Sequence, residues 1–167
     1  GTFMQEAVPE GEGAMAALIG ASHDDALKLC ESVSDNGEVS PANFNCPGQV
    51  VISGLSAPVD AAISNAKTFG IKKAVKLSVS APFHSIYMKP AAEKLKAEFK
   101  KISWNEAKYD IIANVDAKPV RTPAEIQEKL YSQTFSPVLW EDSVSFMIDE
   151  LGINSYYEIG AGEVLSG

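Results

Sequence analysis

A chain of 167 residues, 46% hydrophobic and 22% charged, is long enough to bury a core as one domain or two small ones. Its formal charge of −8 argues against generic nucleic-acid binding, which needs a basic surface. No run is long and apolar enough to span a membrane, and Gly1-Thr2-Phe3-Met4-Gln5 lacks the basic and apolar regions of a signal peptide. Cys30 and Cys46 fall in no Cys-x-x-Cys pattern and fit a reduced cytoplasmic protein with buried thiols.

Residues 1–13 read as a connector, turn-rich and acidic from Glu6 onward. The apolar run Ala14–Gly20 predicts a strand. Ser22 and Asp25 have the spacing of a capping box, so a helix follows to about Val33, with Ala26, Leu29, Cys30 and Val33 on one face. His23, just inside that helix, is expected in solvent. Val39–Asn45 and Gln49–Gly54 predict two strands joined by a turn at Cys46-Pro47-Gly48. A second helix opens at Ser56 and Pro58 and ends at Gly70. Lys73–Ser80 predicts a fourth strand. The order β-α-β-β-α-β over residues 14–80 is that of a ferredoxin-like subdomain.

Beyond residue 80 the texture changes to α/β. Met88–Ile102 predicts an amphipathic helix with Ala91, Leu95 and Phe99 on its apolar stripe. Asp110–Val115 predicts a strand. Thr122-Pro123-Ala124-Glu125 is a helix start with cap, proline and box acid, and the helix carries Ile126 and Leu130. Another helix is expected from Pro137 to Gly152. Ser155–Ile159 predicts a strand stopping at Gly160-Ala161-Gly162, and Val164-Leu165-Ser166-Gly167 reads as the start of a further helix. Two lone strands make a poor parallel sheet. Residues 81–167 therefore read as the C-terminal part of a larger body whose other strands are expected upstream. The Gly-x-Gly turn lacks the third glycine of a dinucleotide fingerprint and the βαβ context before it, so it reads as a tight turn and not a nucleotide site, and no cofactor is expected.

Three features could carry chemistry. His84 lies in Ser80-Ala81-Pro82-Phe83-His84-Ser85, on a proline-bearing turn past the fourth strand. A neutral imidazole can act as a base near neutral pH, yet a lone histidine by a turn is more often a satisfied polar residue, and the sequence has no Gly-x-Ser-x-Gly for it to serve. Asn43, Asn45 and Gln49 place three amides within seven residues. Such amides either satisfy local backbone or form a polar wall facing a substrate. Lys72, Lys73 and Lys76, with Lys89, Lys94, Lys96, Lys100 and Lys101, form basic clusters that are either a solvated face or a docking patch for an acidic partner.

Asn43-Phe44-Asn45-x-Pro-Gly-Gln49, Ser80-x-Pro82-Phe83-His84-Ser85 with Met88-x-Pro90-Ala91, Gln133-x-x-Ser136-Pro137-Val138-x-Trp140 and Glu158-Ile-Gly160-x-Gly162-x-Val164-Leu165 together resemble the malonyl-CoA:acyl carrier protein transacylases. Gly1-x-x-Met4-Gln5 matches as well. The resemblance covers essentially the whole chain. It implies a partial α/β-hydrolase-like acyltransferase body with an inserted ferredoxin-like (βαββαβ) subdomain. It also implies malonyl transfer from coenzyme A to the phosphopantetheine thiol of acyl carrier protein, for fatty acid biosynthesis, by a Ser-His ping-pong mechanism.

In such enzymes His84 would take the proton of a serine, and the Gln133 backbone carbonyl would orient the ring. Met4, Asn45, Gln49 and Phe83 would contact substrate. For Phe83, a steric wall at the acyl α-carbon and plain core packing stand as equal readings. The serine motif, the oxyanion-hole stretch and the malonate-binding arginine of that family would precede Gly1, so the chain alone is expected to be inactive, with the N-terminal part of the enzyme as its partner. Two other readings stay open: a non-enzymatic ferredoxin-like module binding a ligand or subunit, and the acyltransferase domain of a multidomain polyketide or fatty acid synthase.

Overall fold

The computed structural model describes residues 2–165. Gly1 and the helix start read into Ser166 and Gly167 lie outside the described residues. The core is an α/β arrangement on a mixed five-stranded sheet. In chain order the first elements are α1 (Thr2–Gln5), β1 (Gly13–Ile19), α2 (His23–Ser32), β2 (Val39–Cys46), β3 (Gln49–Leu55), α3 (Ser56–Asn65) and β4 (Lys73–Lys76). There follow α4 (Lys89–Phe99), β5 (Ile111–Ala113), β6 (Lys118–Val120), α5 (Pro123–Ser132), β7 (Val138–Leu139) and α6 (Trp140–Asp149).

The sheet order is β4-β1-β3-β2-β7. The first four strands are mutually antiparallel, and β7 lies parallel to β2, with Asn43 opposite Val138. Alternation along the strands sorts the side chains onto two faces. Ala14, Ala16, Leu18, Val50 and Ile52 meet α2 and α3 through Leu29, Val59 and Ala62. Complete burial of Leu18, Leu29, Ile52 and Val59 stabilises the fold by roughly 1.5–3 kcal/mol each. Met15, Ala42 and Val51 face the other way, where Ala17, Leu77 and Phe83 cover them. Pro41 is tolerated in β2 because the ladder is irregular between Pro41 and Asn43. Gly48 closes the β2–β3 turn with φ +83°, a left-handed value that follows naturally after Pro47.

Both capping boxes form. Ser22 and Asp25 close α2, and Thr122 and Glu125 close α5, each side chain meeting the other's backbone N–H. The second predicted helix continues past α3 as a 3-10 turn over Ala66–Phe69 and stops at left-handed Gly70. On α4, Ala91 and Phe99 are buried as the stripe requires, and Trp104 caps the end by donating its indole N–H to the Phe99 carbonyl at 3.0 Å.

Several expectations are corrected. The fourth strand ends at Lys76, not Ser80, because the chain leaves the sheet to form the His84 turn. This edge strand is short and lysine-bearing, which discourages edge-to-edge pairing. The Asp110–Val115 strand shrinks to β5 and pairs with β6, whose Pro119 hid it from pattern reading. The helix expected from Pro137 starts at Trp140, since Val138 and Leu139 join β2 instead. Residues 155–159 form no strand: a strand needs a ladder partner, and none among the described residues lies beside them, leaving Tyr157 88% and Ile159 95% exposed. Residues 1–13, read as a connector, include the helical turn α1. It is held beside α4 by a Lys94–Glu6 ion pair at 2.8 Å.

Removing the α5 cap with Thr122→Ala is expected to lower stability by about 1 kcal/mol, read by chemical denaturation. The Thr122 hydroxyl first, and then its backbone N–H, hold the Glu125 carboxyl below the usual glutamate range. A depressed carboxylate stabilises the fold above its unfolded pKa and loses that contribution as pH falls through the folded one. The difference between wild type and Thr122→Ala should therefore be full at neutral pH and shrink on acidification below about pH 4.

Candidate active site

The turn at residues 80–85 is fixed from three sides. Gly13, the first residue of β1, lies so close to it that a Cβ there would clash with Pro82 Cδ. Inside the turn, the buried Ser85 hydroxyl donates to the Pro82 carbonyl at 2.6 Å. Phe83 anchors the turn against Met15, Ala42 and Val51. His84, between the two anchors, takes φ +57°. That left-handed conformation is uncommon outside glycine, and holding it costs on the order of 1 kcal/mol. The surrounding contacts over-determine it.

The reward of this geometry is the position of the ring. His84 Nδ1 is 2.9 Å from the backbone carbonyl oxygen of Gln133. A carbonyl can only accept, so Nδ1 carries the proton in this pair. In the neutral ring Nε2 then holds the lone pair. Gln133 itself is held by the end of α5, where its N–H donates to the Lys129 carbonyl at 2.9 Å. The Lys129 ammonium in turn meets Asp116 at 2.6 Å, tying α5 to the β5–β6 turn.

His84 lines a cleft of about 310 Å³ together with Phe3, Met4, Leu95, Asn114, Leu130, Gln133 and Val138. A second, more polar groove of about 570 Å³ is lined by Asn43, Asn45, Gln49, Asn114 and Trp140. The two share Asn114 and Val138 in their walls. The structure thus brings Met4 and Gln133 to His84 and sets Asn45 and Gln49 in the adjoining groove. Phe83 does not line either cavity and packs against Met15, Ala42 and Val51. Leu95, Leu130 and Asn114 were not singled out in the sequence as site residues. The first two were legible only as stripe positions, and Asn114 belongs to a hairpin the pattern concealed.

Two sequence expectations fail nearby. His23 is not simply solvated: its ring lies 4.3 Å from that of Phe44 and its Nε2 is 3.2 Å from Glu141 Oε2, joining α2 to α6. Cys46 is exposed at the polar groove rather than buried. Cys30 is buried as expected, and burial pushes its thiol up to about 12. Among the described residues no group of three or more His, Cys, Asp or Glu could hold a metal ion, and no helix is long and apolar enough to cross a membrane.

A base whose proton is fixed by a main-chain acceptor, at the mouth of a mostly apolar cleft, suits proton transfer to and from a nucleophile in group transfer. The comparison with known families agrees: the model described as an acyl transferase domain matches residues 1–159. The chain belongs to the acyl transferase family. Within it, the chain is similar to proteins named malonyl CoA-acyl carrier protein transacylase, being 47% identical over 168 residues to that of Bacillus subtilis and 46% over 167 residues to that of Escherichia coli K12. All of this chain is covered, against 53% and 54% of those proteins, so it spans about half the length of the curated relatives it matches.

Solved structures agree in the same proportion. An acyl carrier protein S-malonyltransferase from Vibrio cholerae superposes with a TM-score of 0.95 at 39% identity, covering 99% of this chain and 54% of that one. A malonyl-transacylase solved in complex with its type II PKS acyl-carrier protein superposes with a TM-score of 0.94 at 41% identity, covering 99% of this chain and 53% of that one.

Two measurements check this site. Ser85→Ala should destabilise the fold by about 1–3 kcal/mol, because it strips the buried turn of its internal donor; thermal unfolding reads this. Iodoacetamide should label Cys46 and spare Cys30 in the folded chain at neutral pH, as read by mass spectrometry of the digested protein.

Proposed function

We propose that this chain is part of a malonyl-CoA:acyl carrier protein transacylase, serving fatty acid biosynthesis. The observation that carries the proposal is the 2.9 Å contact between His84 Nδ1 and the Gln133 carbonyl. It leaves Nε2 as the proton acceptor for a serine supplied by the N-terminal part of the enzyme, the partner that completes the body. Nε2 takes the serine proton as the oxygen attacks the malonyl thioester of coenzyme A, and it returns that proton to the departing thiolate. The phosphopantetheine thiol of acyl carrier protein then gives its proton to Nε2 and attacks the malonyl ester, and the serine leaves with the proton. A thioester is a reactive acyl donor, so a carbonyl rather than a carboxylate suffices to aim the ring. Met4 in the cleft, with Asn45 and Gln49 in the groove, contact the substrate.

In this reading residues 14–80 are a ferredoxin-like subdomain inserted into an α/β-hydrolase-like body. Its support is the antiparallel order β4-β1-β3-β2 with two crossover helices on one face. Residues 81–167 belong to the body, and residues 1–13 lead in from its N-terminal part. The apolar surface formed by Trp140, Val144, Tyr156, Tyr157 and Leu165 is where that part would pack. For the acidic carrier protein, Lys72 and Lys73 are the most available cations of the first cluster, since Lys76 is engaged with Asp60 at 2.6 Å.

The test substitutes this chain for the stretch that it matches in the Bacillus subtilis relative, giving a fusion with the rest of that protein. The fusion should transfer malonyl from coenzyme A to acyl carrier protein. His84→Asn should lower kcat by about 10²–10⁴-fold. Asparagine tolerates the left-handed backbone, so its loss of rate reports the imidazole and not a collapsed turn. Gln133→Ala should retain most of the rate, because only its main chain is used. A folded fusion without transfer, or one in which His84→Asn is fully active, overturns the proposal.

A further inference from the structure

We infer that Lys129 is a positioning residue for His84: its ion pair with Asp116 fixes the end of α5, and with it the Gln133 carbonyl that aims the imidazole. The consequence for rate rests on the acyl-transfer reading above. The consequence for the ring does not.

The need for such a tie comes from α5 itself. No residue of Pro123–Ser132 is buried. Apolar packing seats this helix only shallowly, and an element with few buried contacts moves easily. If it moves, its last carbonyls move with it. Thr134, just beyond the helix, is buried, but its hydroxyl turns back onto the Leu130 carbonyl at 3.1 Å. Tyr131 reaches outward, donating its hydroxyl to Glu93 of α4, on an exposed face. Lys129 reaches the other way and meets Asp116 at 2.6 Å, with the two side chains 31% and 28% exposed. A pair partly withdrawn from water is screened less than one in solvent, so this is the firmer of the two ties.

Lys129 also stands one turn before the carbonyl that matters. Its own carbonyl accepts the Gln133 N–H at 2.9 Å, so a displaced Lys129 displaces Gln133. Asp116 is a fixed anchor. The Ala117 N–H closes its turn on the Ala113 carbonyl at 2.8 Å, and the Leu139 N–H bonds the Asn114 carbonyl at 2.8 Å. Leu139 in turn pairs with Phe44 of β2. Asp116 Oδ1 is buried without a hydrogen-bond partner among the described residues, so the carboxylate leans on Lys129.

Two lines therefore run from one sheet to one hydrogen bond. The first passes from β1 through Pro82 to His84. The second passes from β2 through β7, the hairpin and Lys129 to Gln133. Neither Lys129 nor Asp116 lines the His84 cleft, so Lys129 acts through the carbonyl and not on a substrate. With the carbonyl displaced, a neutral ring is free to carry its proton on Nε2 as well, and that form cannot accept a proton there.

The experiment records ring-nitrogen NMR spectra of the 167-residue chain with His84 neutral. The chain has two histidines, and His84→Asn identifies which signals belong to residue 84. Wild type should show the Nδ1–H tautomer. Lys129→Met should show a mixture of tautomers. So should Lys129→Met combined with Asp116→Asn, which leaves no charge unpaired should the single variant fail to fold. Lys129→Arg, which keeps the ion pair, and Tyr131→Phe, which cuts only the exposed tie, should match wild type. In the fusion, Lys129→Met should lower kcat about tenfold with KM for malonyl-coenzyme A within about twofold, and Lys129→Arg should restore the rate. A single Nδ1–H tautomer in both Lys129→Met variants, or an equal change in Tyr131→Phe, overturns the inference. A fusion that transfers no malonyl while Lys129→Met still mixes the tautomers overturns the acyl-transfer reading and leaves the positioning role standing.

Discussion

The site depends on one hydrogen bond between parts of the chain that are distant in sequence. His84 follows the antiparallel sheet, and Gln133 ends α5, 49 residues later. The bond works only if both ends are stiff. The sheet makes one end stiff through the packing of Phe83 on Met15, Ala42 and Val51. The other end is stiff because the Gln133 carbonyl lies at the close of a capped helix, where carbonyls lack intrahelical partners and are available to a ring N–H. The two packing layers therefore meet at the imidazole, and the choice of tautomer follows from the fold rather than from a charged neighbour.

Strain is part of this arrangement. A histidine in the left-handed region would relax if its neighbours allowed it. Ser85 closes the turn on one side of it and Pro82 abuts β1 on the other. What the structure gives up in local backbone energy it recovers as a ring with one allowed direction. The adjoining groove is built differently. Its amides stand on β2, on the start of β3 and on a hairpin, so its lining is set by strand register more than by any single contact.

Much of this was legible in the sequence where the signal is local. Ser22 with Asp25 and Thr122 with Glu125 announced their helices, because a capping box is a short-range agreement between two side chains and two N–H groups. The strand order up to residue 76 followed from alternation and from turn residues such as Pro47 and Gly48. The contact of His84 with the Gln133 carbonyl was expected from family resemblance alone, since no pattern of residue types marks a main-chain acceptor. What stayed hidden was non-local. Val138 and Leu139 look like helix until β2 is there to pair with them. Pro119 masks β6, and residues 155–159 have strand composition but no ladder among the described residues. His23 read as solvent-facing because neither Phe44 nor Glu141 is near it in sequence.

The absent side chain at Gly13 gives β1 a second office, that of a ruler. Elsewhere along the strand the side chains pack against one face of the sheet or the other. At Gly13 the nearest atoms belong to the rigid ring of Pro82, two residues before the imidazole. Any added carbon there moves the ring of Pro82 or the end of the strand, and with it the origin from which the direction of His84 is measured. The position of the His84 ring is thus written partly in a residue with no chemistry of its own, 71 residues away in sequence but in contact with its turn.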